Sequence, residues 1–449
     1  MKWKNKPFCN KCNQEFEVPY LWCPNCNNLI FIHPITGPPI EKIELKSMWS
    51  LIPFLPKYEQ QITLFEGNTP VIPIQNMENL KNLNLKLEFR NPTGSFRDRA
   101  SALITSDILS KNFSKIISAS TGSFGISLAA YSAKGQISST NILPKQMDLA
   151  KIEQIKVYGS EVIQAGKNLD EAISLANELT LSKKSYFPTP NNNLLTIEGQ
   201  KTIALELILQ MKNIESIIVP RGSGTLILSI YRGFQDALAS KWISKIPKIF
   251  AVSLKKSDGA FLAESLKLEN PFLINEVNSI LKLTEGEELQ IDASEMTKDA
   301  LDLAKYEGLF IEPASASVIS AAKSLIQKEQ IDPKSSVAIL TGSGLNALNV
   351  FASQMRDIKK VVWGISEFST QRFEILNLVA EKKANHGYAI WGALGKKKSL
   401  QSIYQHINNL VEDGLIIDTI PDQKKALYIL TNKGQEMLEK MRDLIDLGK

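Results

Sequence analysis

All four cysteines fall in the first 26 residues, as Cys9-Asn-Lys-Cys12 and Cys23-Pro-Asn-Cys26. Two such knuckles can set four thiolates tetrahedrally around one Zn²⁺. Two redox dithiols, or disulfides, are the other readings of the same spacing. An all-thiolate set leaves no open coordination position, so the metal would be structural. His33, just ahead of Pro34, reads as a turn residue rather than a fifth ligand. One further stretch has the composition of an anion site. Gly222-Ser223-Gly224-Thr225 sits between an apolar run and a helical pattern. Small residues there let backbone N–H groups close on a phosphate, and a helix start adds its positive end. A tight turn is the competing reading. Arg221, next to it, either adds charge or faces solvent. Ser120-Thr121-Gly122-Ser123-Phe124-Gly125 is a second strand-to-helix turn. Near the C-terminus, Gln401, Ser402, Gln405, Asn408 and Asn409 share one side of a helical pattern. Such side chains can read base edges in a major groove. Lys396, Lys397 and Lys398 before that helix, and Lys424 and Lys425 after it, could meet phosphates.

These groups need elements to hold them. At 449 residues the chain is expected to form two or three domains. Hydrophobic residues make up 43% and charged residues 22%, ordinary values for a soluble globular protein. No apolar run reaches the length of a membrane span, and Met1–Lys6 has no apolar stretch behind it to make a secretory signal. The thiol-poor remainder fits a cytoplasmic protein without disulfides. Residues 1–33 read as a zinc ribbon with strands at Phe16–Val18 and Leu29–Ile32, too small to fold without a metal staple. Residues 34–61, rich in Pro and without periodicity, read as a wrapping linker.

Residues 62–355 alternate short apolar runs with helical patterns. Lys115–Ala119 precedes Gly125–Ala133, and Ser216–Pro220 precedes Leu226–Ala239. That alternation predicts a parallel sheet covered by helices on both faces. Residues 359–449 read as a winged helix-turn-helix. A helix begins at Ser369, a second follows Asn385, and a third spans Ser399–Asp413 with Ile403, Ile407, Leu410 and Val411 inward. Wing strands are expected at Ile417–Ile420 and Lys425–Leu430, and a last helix at Thr431–Leu447. Lys359–Lys449 carries 14 Lys and Arg against 11 Asp and Glu, too even a balance to argue DNA binding by charge alone. A winged helix used for protein contact is the alternative.

The stretch Leu85–Ala100, with Asn91-Pro-Thr-Gly-Ser-Phe-Arg-Asp-Arg99 at its centre, resembles the cofactor-lysine segment of threonine synthase-like enzymes. These belong to the fold-type-II pyridoxal-phosphate (PLP) family. Leu64-Phe-Glu-Gly-Asn-Thr-Pro70, Ser120–Gly125, Glu198-Gly-Gln-Lys-Thr202, Val219–Leu226, Glu307–Ala316 and Thr341-Gly-Ser-Gly-Leu345 resemble that family's further motifs, in its order. The resemblance implies a two-lobed α/β body with a parallel sheet, its smaller lobe at about 101–190. It also implies a phosphate cup at Gly222–Thr225, a carboxylate loop at Ser120, Thr121, Gly122 and Ser123, and a hydroxyl facing the cofactor ring at Thr341. Arg97 stands where the family's Schiff-base lysine stands. A guanidinium stays protonated and makes no Schiff base, and it is a poor base. Ser123 replaces the family's Asn, and Asn346 a further family lysine. Lys86 and Lys201 belong to the family's pattern in addition to its Schiff-base lysine and are no natural substitute.

His386-Gly-Tyr-Ala-Ile-Trp391, Ser402–Ile416 and Ala426–Gly434 are similar to the PadR-like regulators. The two resemblances together imply a ligand-responsive transcriptional regulator whose sensor is a pseudoenzyme. It would bind a small anion such as an amino acid or phospho-amino acid, or PLP non-covalently. As a homodimer it would read palindromic DNA. The alternatives are an active threonine synthase- or dehydratase-type carbon–oxygen lyase with a DNA-binding appendage, and a non-catalytic partner of an active paralogue.

Overall fold

The computed structural model describes residues 1–120, 122–145, 147–183, 185–186, 188–189, 192–255, 263, 266, 271–351, 370–381, 383–396, 399–419 and 426–438. They fall into two compact units, Met1–Asn349 and Val350–Lys449.

The first unit starts with a hairpin in which β1 (Phe8–Cys9) pairs antiparallel with β2 (Ile30–Phe31). The strand expected at Phe16–Val18 does not form. That stretch bends away after a single bridge between Phe8 and Glu15. Each knuckle closes on an Asn in the left-handed region, Asn13 at φ 55° and Asn27 at φ 52°. Their N–H groups donate to the Cys9 and Cys23 carbonyls, both at 2.8 Å. Asn tolerates this backbone better than other non-glycine residues. The two turns bring the residues ahead of the first knuckle against those behind the second.

Residues 34–61 are more than a tether. Two 3₁₀ turns, Ile40–Lys42 and Met48–Phe54, interrupt them, and Ser47 caps the second by accepting from Trp49 N. Met48, Leu51 and Phe54 are fully buried. Each such side chain contributes about 2 kcal/mol by leaving water.

The body runs β3 (Val71–Pro73), β4 (Asn84–Lys86), α1 (Asp98–Ser110), β5 (Lys115–Ala119), α2 (Ser123–Lys134), β6 (Ser138–Leu143), α3 (Leu149–Val157), β7 (Glu161–Gln164) and α4 (Leu169–Lys183). It continues α5 (Leu195–Gln200), α6 (Thr202–Gln210), β8 (Ser216–Pro220), α7 (Thr225–Ala239), β9 (Lys248–Leu254), α8 (Ile274–Leu283), β10 (Glu288–Ile291), α9 (Ala293–Glu307), α10 (Pro313–Gln327) and β11 (Ser336–Ile339). Six strands form one sheet in the order β10-β9-β8-β11-β4-β3, parallel except for the edge strand β3. Strands β5-β6-β7 form a separate parallel sheet. Ile217, Ile218 and Val219 of β8 are all buried, as a central strand covered on both faces requires.

The ribbon shares its core with this body. Cys9, Leu21, Leu29 and Ile30 join one apolar cluster with Ile227, Ile230 and Phe234 of α7. Arg232 Nη2 donates to Ile30 O at 2.9 Å, and Ile35 N donates to Asp236 Oδ1 at 2.8 Å.

The second unit contains α11 (Thr370–Ala380), α12 (Gly387–Ala393), α13 (Leu400–Glu412), β12 (Ile416–Asp418), β13 (Tyr428–Leu430) and a helix over 432–438. Ile375, Leu376, Ile390, Ile403, Ile407, Leu410 and Tyr428 form its core. Val411, expected inward, is 37% exposed. Among the described residues the wing pairs Ile416–Asp418 with Tyr428–Leu430. Residues 420–425, with Lys424 and Lys425, lie outside the described residues, as do Ser369 and the last helix beyond Leu438.

A candidate anion site at the carboxyl ends of the strands

Four motifs sit just past the carboxyl ends of parallel strands: 87–97 after β4, Ser120–Ser123 after β5, Gly222–Thr225 after β8, and Thr341–Asn346 after β11. Ligands of open α/β sheets bind at that edge.

The segment carrying Arg97 is laced to the turn after β11. Phe96 N donates to Thr341 O at 3.1 Å, Ser343 N to Gly94 O at 2.9 Å, and Asn346 Nδ2 to Thr93 O at 3.3 Å. Gly94, at φ 75°, is needed twice over. Its backbone is left-handed, and a Cβ would lie 3.0 Å from Ser343 Cβ. A Cβ on Gly342 would collide with the Glu312 carboxylate, which stands immediately ahead of α10.

Arg97 ends this segment as the residue before α1. Its guanidinium carbon lies 4.6 Å from the Phe96 ring centre. Nη1 is buried and has no hydrogen-bond partner among the described residues. Burial lowers the guanidinium to about 10 and the Glu312 carboxylate opposes that, so Arg97 remains a cation at neutral pH. An orphaned, charged donor past the strand ends is what an anion would satisfy.

The neighbouring Asp98 is fully buried. It accepts from Thr93 N at 2.7 Å, Thr93 Oγ1 at 2.5 Å and Ser127 Oγ at 2.6 Å. Burial pushes its carboxyl up, the Ser127 and Thr93 hydrogen bonds pull back, and Glu66 adds repulsion, leaving it at about 7. Because Ser127 lies one turn into α2, this contact sets the N-terminus of α2 beside that of α1.

At that N-terminus Gly122 has φ 119°. A Cβ there would lie 2.5 Å from Lys151 Cδ, so the stem of buried Lys151 crosses the loop. Ser120 is buried and its Oγ accepts from Gly122 N at 3.3 Å; Ser123 opens α2, and Thr121 lies outside the described residues.

The third turn opens α7. Gly224 is left-handed at φ 95°, and Ser223 Oγ lies 3.1 Å from Thr225 Oγ1. Arg221 does not face solvent, and its Nε is buried without a partner among the described residues. It pairs with Glu288 on β10. Lys86 is spent on Glu206 Oε2, Thr69 O and Gln210 Oε1 at 2.8–2.9 Å, and Lys201 on Glu198 and Asp236 at 2.6 and 2.8 Å. Arg99 ties the same interior together through Glu88 and Glu206, each reached at 2.6 Å.

Cys9 ends β1, and the other three thiols gather around it. Their four sulfurs all fall within 4.8 Å of one another, with Cys9–Cys26 at 3.4 Å and Cys12–Cys23 at 3.5 Å. These separations are too long for disulfides and near those of a tetrahedral thiolate site. The cluster could hold a metal ion. His33 stacks on Phe8 instead, with ring centres 4.3 Å apart.

In the second unit, Gln401, Gln405 and Asn408 are exposed on α13, and Ser402 is half-buried. Asn409 departs from the expected reading face. It is half-buried, and with its amide oriented to suit both neighbours it accepts from Arg372 Nη2 at 2.5 Å and donates to Gln405 O. Lys396 lies 5.1 Å from the Trp391 ring centre; Lys397 and Lys398 are outside the described residues. His386 caps α12, its Nδ1 accepting from Ala389 N at 3.2 Å.

Glu312, Lys151 and Asp98 were not singled out by sequence. Asp98 and Glu312 do fall inside motifs quoted for the resemblance, and Glu312 also stands directly before the Pro that starts a helix.

Residues 62–342 match the family described as pyridoxal-phosphate dependent enzyme, and residues 373–449 match the winged helix-turn-helix family. The threonine synthase of Methanocaldococcus jannaschii is 29% identical over 376 residues, 75% of this chain and 92% of its own. That of Methanosarcina acetivorans is 28% identical over 365 residues, 74% and 90%. The crystal structure of O-ureido-L-serine synthase superposes with a TM-score of 0.54 at 17% identity, over 63% of this chain and 92% of that one; at this identity the likeness is one of fold. No helix among the described residues is long and apolar enough to cross a membrane. The chain therefore belongs to the pyridoxal-phosphate dependent enzyme family, with a winged helix-turn-helix unit joined to a threonine synthase-like body.

Proposed function

We propose that this protein is a ligand-responsive transcriptional regulator of the cytoplasm. Its body is a catalytically degenerate sensor for a small anionic, amino-acid-like ligand, and its winged unit, PadR-like in wording, binds palindromic DNA as a homodimer. Arg97 carries the reading. At the end of the segment that resembles the family's lysine motif stands a permanent cation with an orphaned Nη1. The nearby motif lysines, Lys86 and Lys201, are locked in buried ion pairs.

PLP would supply an electron sink for amino-acid chemistry in this family. The Ser223 and Thr225 hydroxyls and the start of α7 suit its phosphate, but Arg97 offers no amine for covalent attachment. The cofactor would be a non-covalent guest, and no catalytic step is assigned to it. The four thiolates would hold one structural Zn²⁺.

An active carbon–oxygen lyase is a second reading, favoured by one observation: Lys151 is a buried amine whose stem lies across Gly122. Protein expressed with ample pyridoxine separates the two. No visible absorption band, and no phosphopyridoxyl mass after borohydride, is the outcome expected of the sensor. An adduct on any lysine moves the enzyme reading ahead. Failure to retard DNA from upstream of its own gene, at every salt concentration and with every ligand, removes the regulator.

A further inference from the structure

The ribbon leans on both helices that frame the Gly222–Thr225 turn. Trp22, the residue before Cys23, meets Phe272 edge-on, with ring centres 6.4 Å apart and planes at 72°. Leu273, next in the chain, is fully buried and leads into α8. Leu273 and Val277 close over Gly224: a Cβ there would lie 2.9 Å from Leu273 Cβ and 2.9 Å from Val277 Cγ2. Gly224 is the left-handed residue that opens α7. Further along α7, Arg232 Nη2 donates to Ile30 O, and Asp236 and Ser240 accept from Ile35 N and Gly37 N.

The ribbon's two strands are two residues each. So short a ladder is weak by itself, and a metal held by Cys9, Cys12, Cys23 and Cys26 would fix the second knuckle. The Cys23 sulfur and the ring that props Phe272 sit on adjacent residues of that knuckle. Contacts then run from the thiols through Trp22, Phe272 and Leu273 to Gly224. A close-packed interior has little free space in which to absorb a displacement along such a row.

We infer that the ribbon is a metal-dependent buttress of the Gly222–Thr225 turn, so that metal binding by the thiols regulates how well the turn holds a phosphate. The inference rests on reading that turn as an anion site, and names what controls it. With metal bound, Leu273 stays against Gly224 and the turn keeps one arrangement. Without metal, Trp22 is released, Leu273 gains room, and the turn takes several. Ordering them again on phosphate binding costs affinity.

The test uses the full chain, loaded with zinc or stripped by chelator and desalted, and the variant Phe272→Ala. The variant removes the ring that Trp22 meets and keeps all four thiols and every residue of the turn. The probe is inorganic phosphate, followed by calorimetry. Hydrogen exchange is read at Leu228 and Val277, whose N–H groups donate to Gly224 O and Leu273 O, and at Lys115–Ala119 in the separate sheet as a reference. Stripping the wild type should weaken phosphate binding at least about fivefold. Exchange should rise at least about tenfold more at Leu228 and Val277 than in the reference strand. Phe272→Ala should take up zinc as the wild type does and bind phosphate as weakly as the stripped wild type. Its own loss on stripping should stay under about twofold. Phosphate affinity and exchange that ignore the metal overturn the buttress and leave the anion site standing. Exchange that rises no more at Leu228 and Val277 than in the reference strand makes the metal a general stabiliser, and overturns it too. So does a Phe272→Ala chain that responds to stripping as the wild type does. If the zinc-loaded wild type binds no phosphate, the anion reading of the turn falls, and the exchange pattern alone decides the buttress.

Discussion

Asp98 accepts a hydrogen bond from Ser127 at 2.6 Å, and that bond holds the first turn of α1 against the first turns of α2. Both sides of the candidate site are thus hung on one buried carboxyl at about 7. Its folded value lies above the ordinary carboxylate range, so the folded state binds the extra proton between about pH 4 and pH 7. The stability it contributes is full below that window and is lost as pH rises through about 7. Asp98→Asn imitates the protonated form. Its stability relative to wild type should rise by about 2 kcal/mol between pH 5 and pH 8, read by urea unfolding at each pH. A difference that stays flat with pH would show that Asp98 does not hold an extra proton across this window.

Glu312 and Arg97 oppose each other in what they offer an anion. Glu312→Gln removes a negative charge that competes for the guanidinium, and O-phospho-L-serine should bind about fivefold tighter. Arg97→Met removes the orphaned donor, and binding should weaken at least tenfold. Calorimetry on both variants, with melting temperatures recorded alongside, checks the pair of signs.

Metal analysis should find one equivalent of zinc per chain, lost in Cys9→Ser. The ribbon shares its apolar cluster with α7. Metal loss should therefore lower the melting temperature of the whole first unit, by roughly 5 °C or more, rather than fray residues 1–33 alone. Circular dichroism with and without chelator reads this, since α7 lies far from the thiols in sequence.

On α13, Gln405 and Asn409 should part company. Gln405→Ala should lower specific DNA affinity by about 1–3 kcal/mol with unchanged melting. Asn409→Ala, which strips a partner from Arg372, should lower the melting of the winged unit first. Gel retardation and thermal melting on both variants separate base reading from packing.

The sequence was most legible where one physical rule acts alone. Lys115–Ala119 and Ser216–Pro220 are strands at their expected bounds because buried parallel strands need unbroken apolar runs. The paired cysteines announced their cluster by spacing. What stayed hidden depends on long-range neighbours. Nothing local shows that Lys151 will cross Gly122 or that Glu312 will face Arg97. Asn409 looked like part of a reading face because helical periodicity does not know where Arg372 comes to rest. Phe16–Val18 has strand-forming residues, but left-handed Asn13 and Asn27 decide which segments meet.

The ribbon's dependence on α7 has a consequence during synthesis. Ile35 bonds to Asp236, 201 residues later, and Ile30 to Arg232, 202 residues later. The ribbon thus leaves the ribosome well before the helix that completes it. Until α7 has been translated, the hairpin has its knuckles but lacks one wall of its core. In that interval a bound metal would be the main restraint on its thiols.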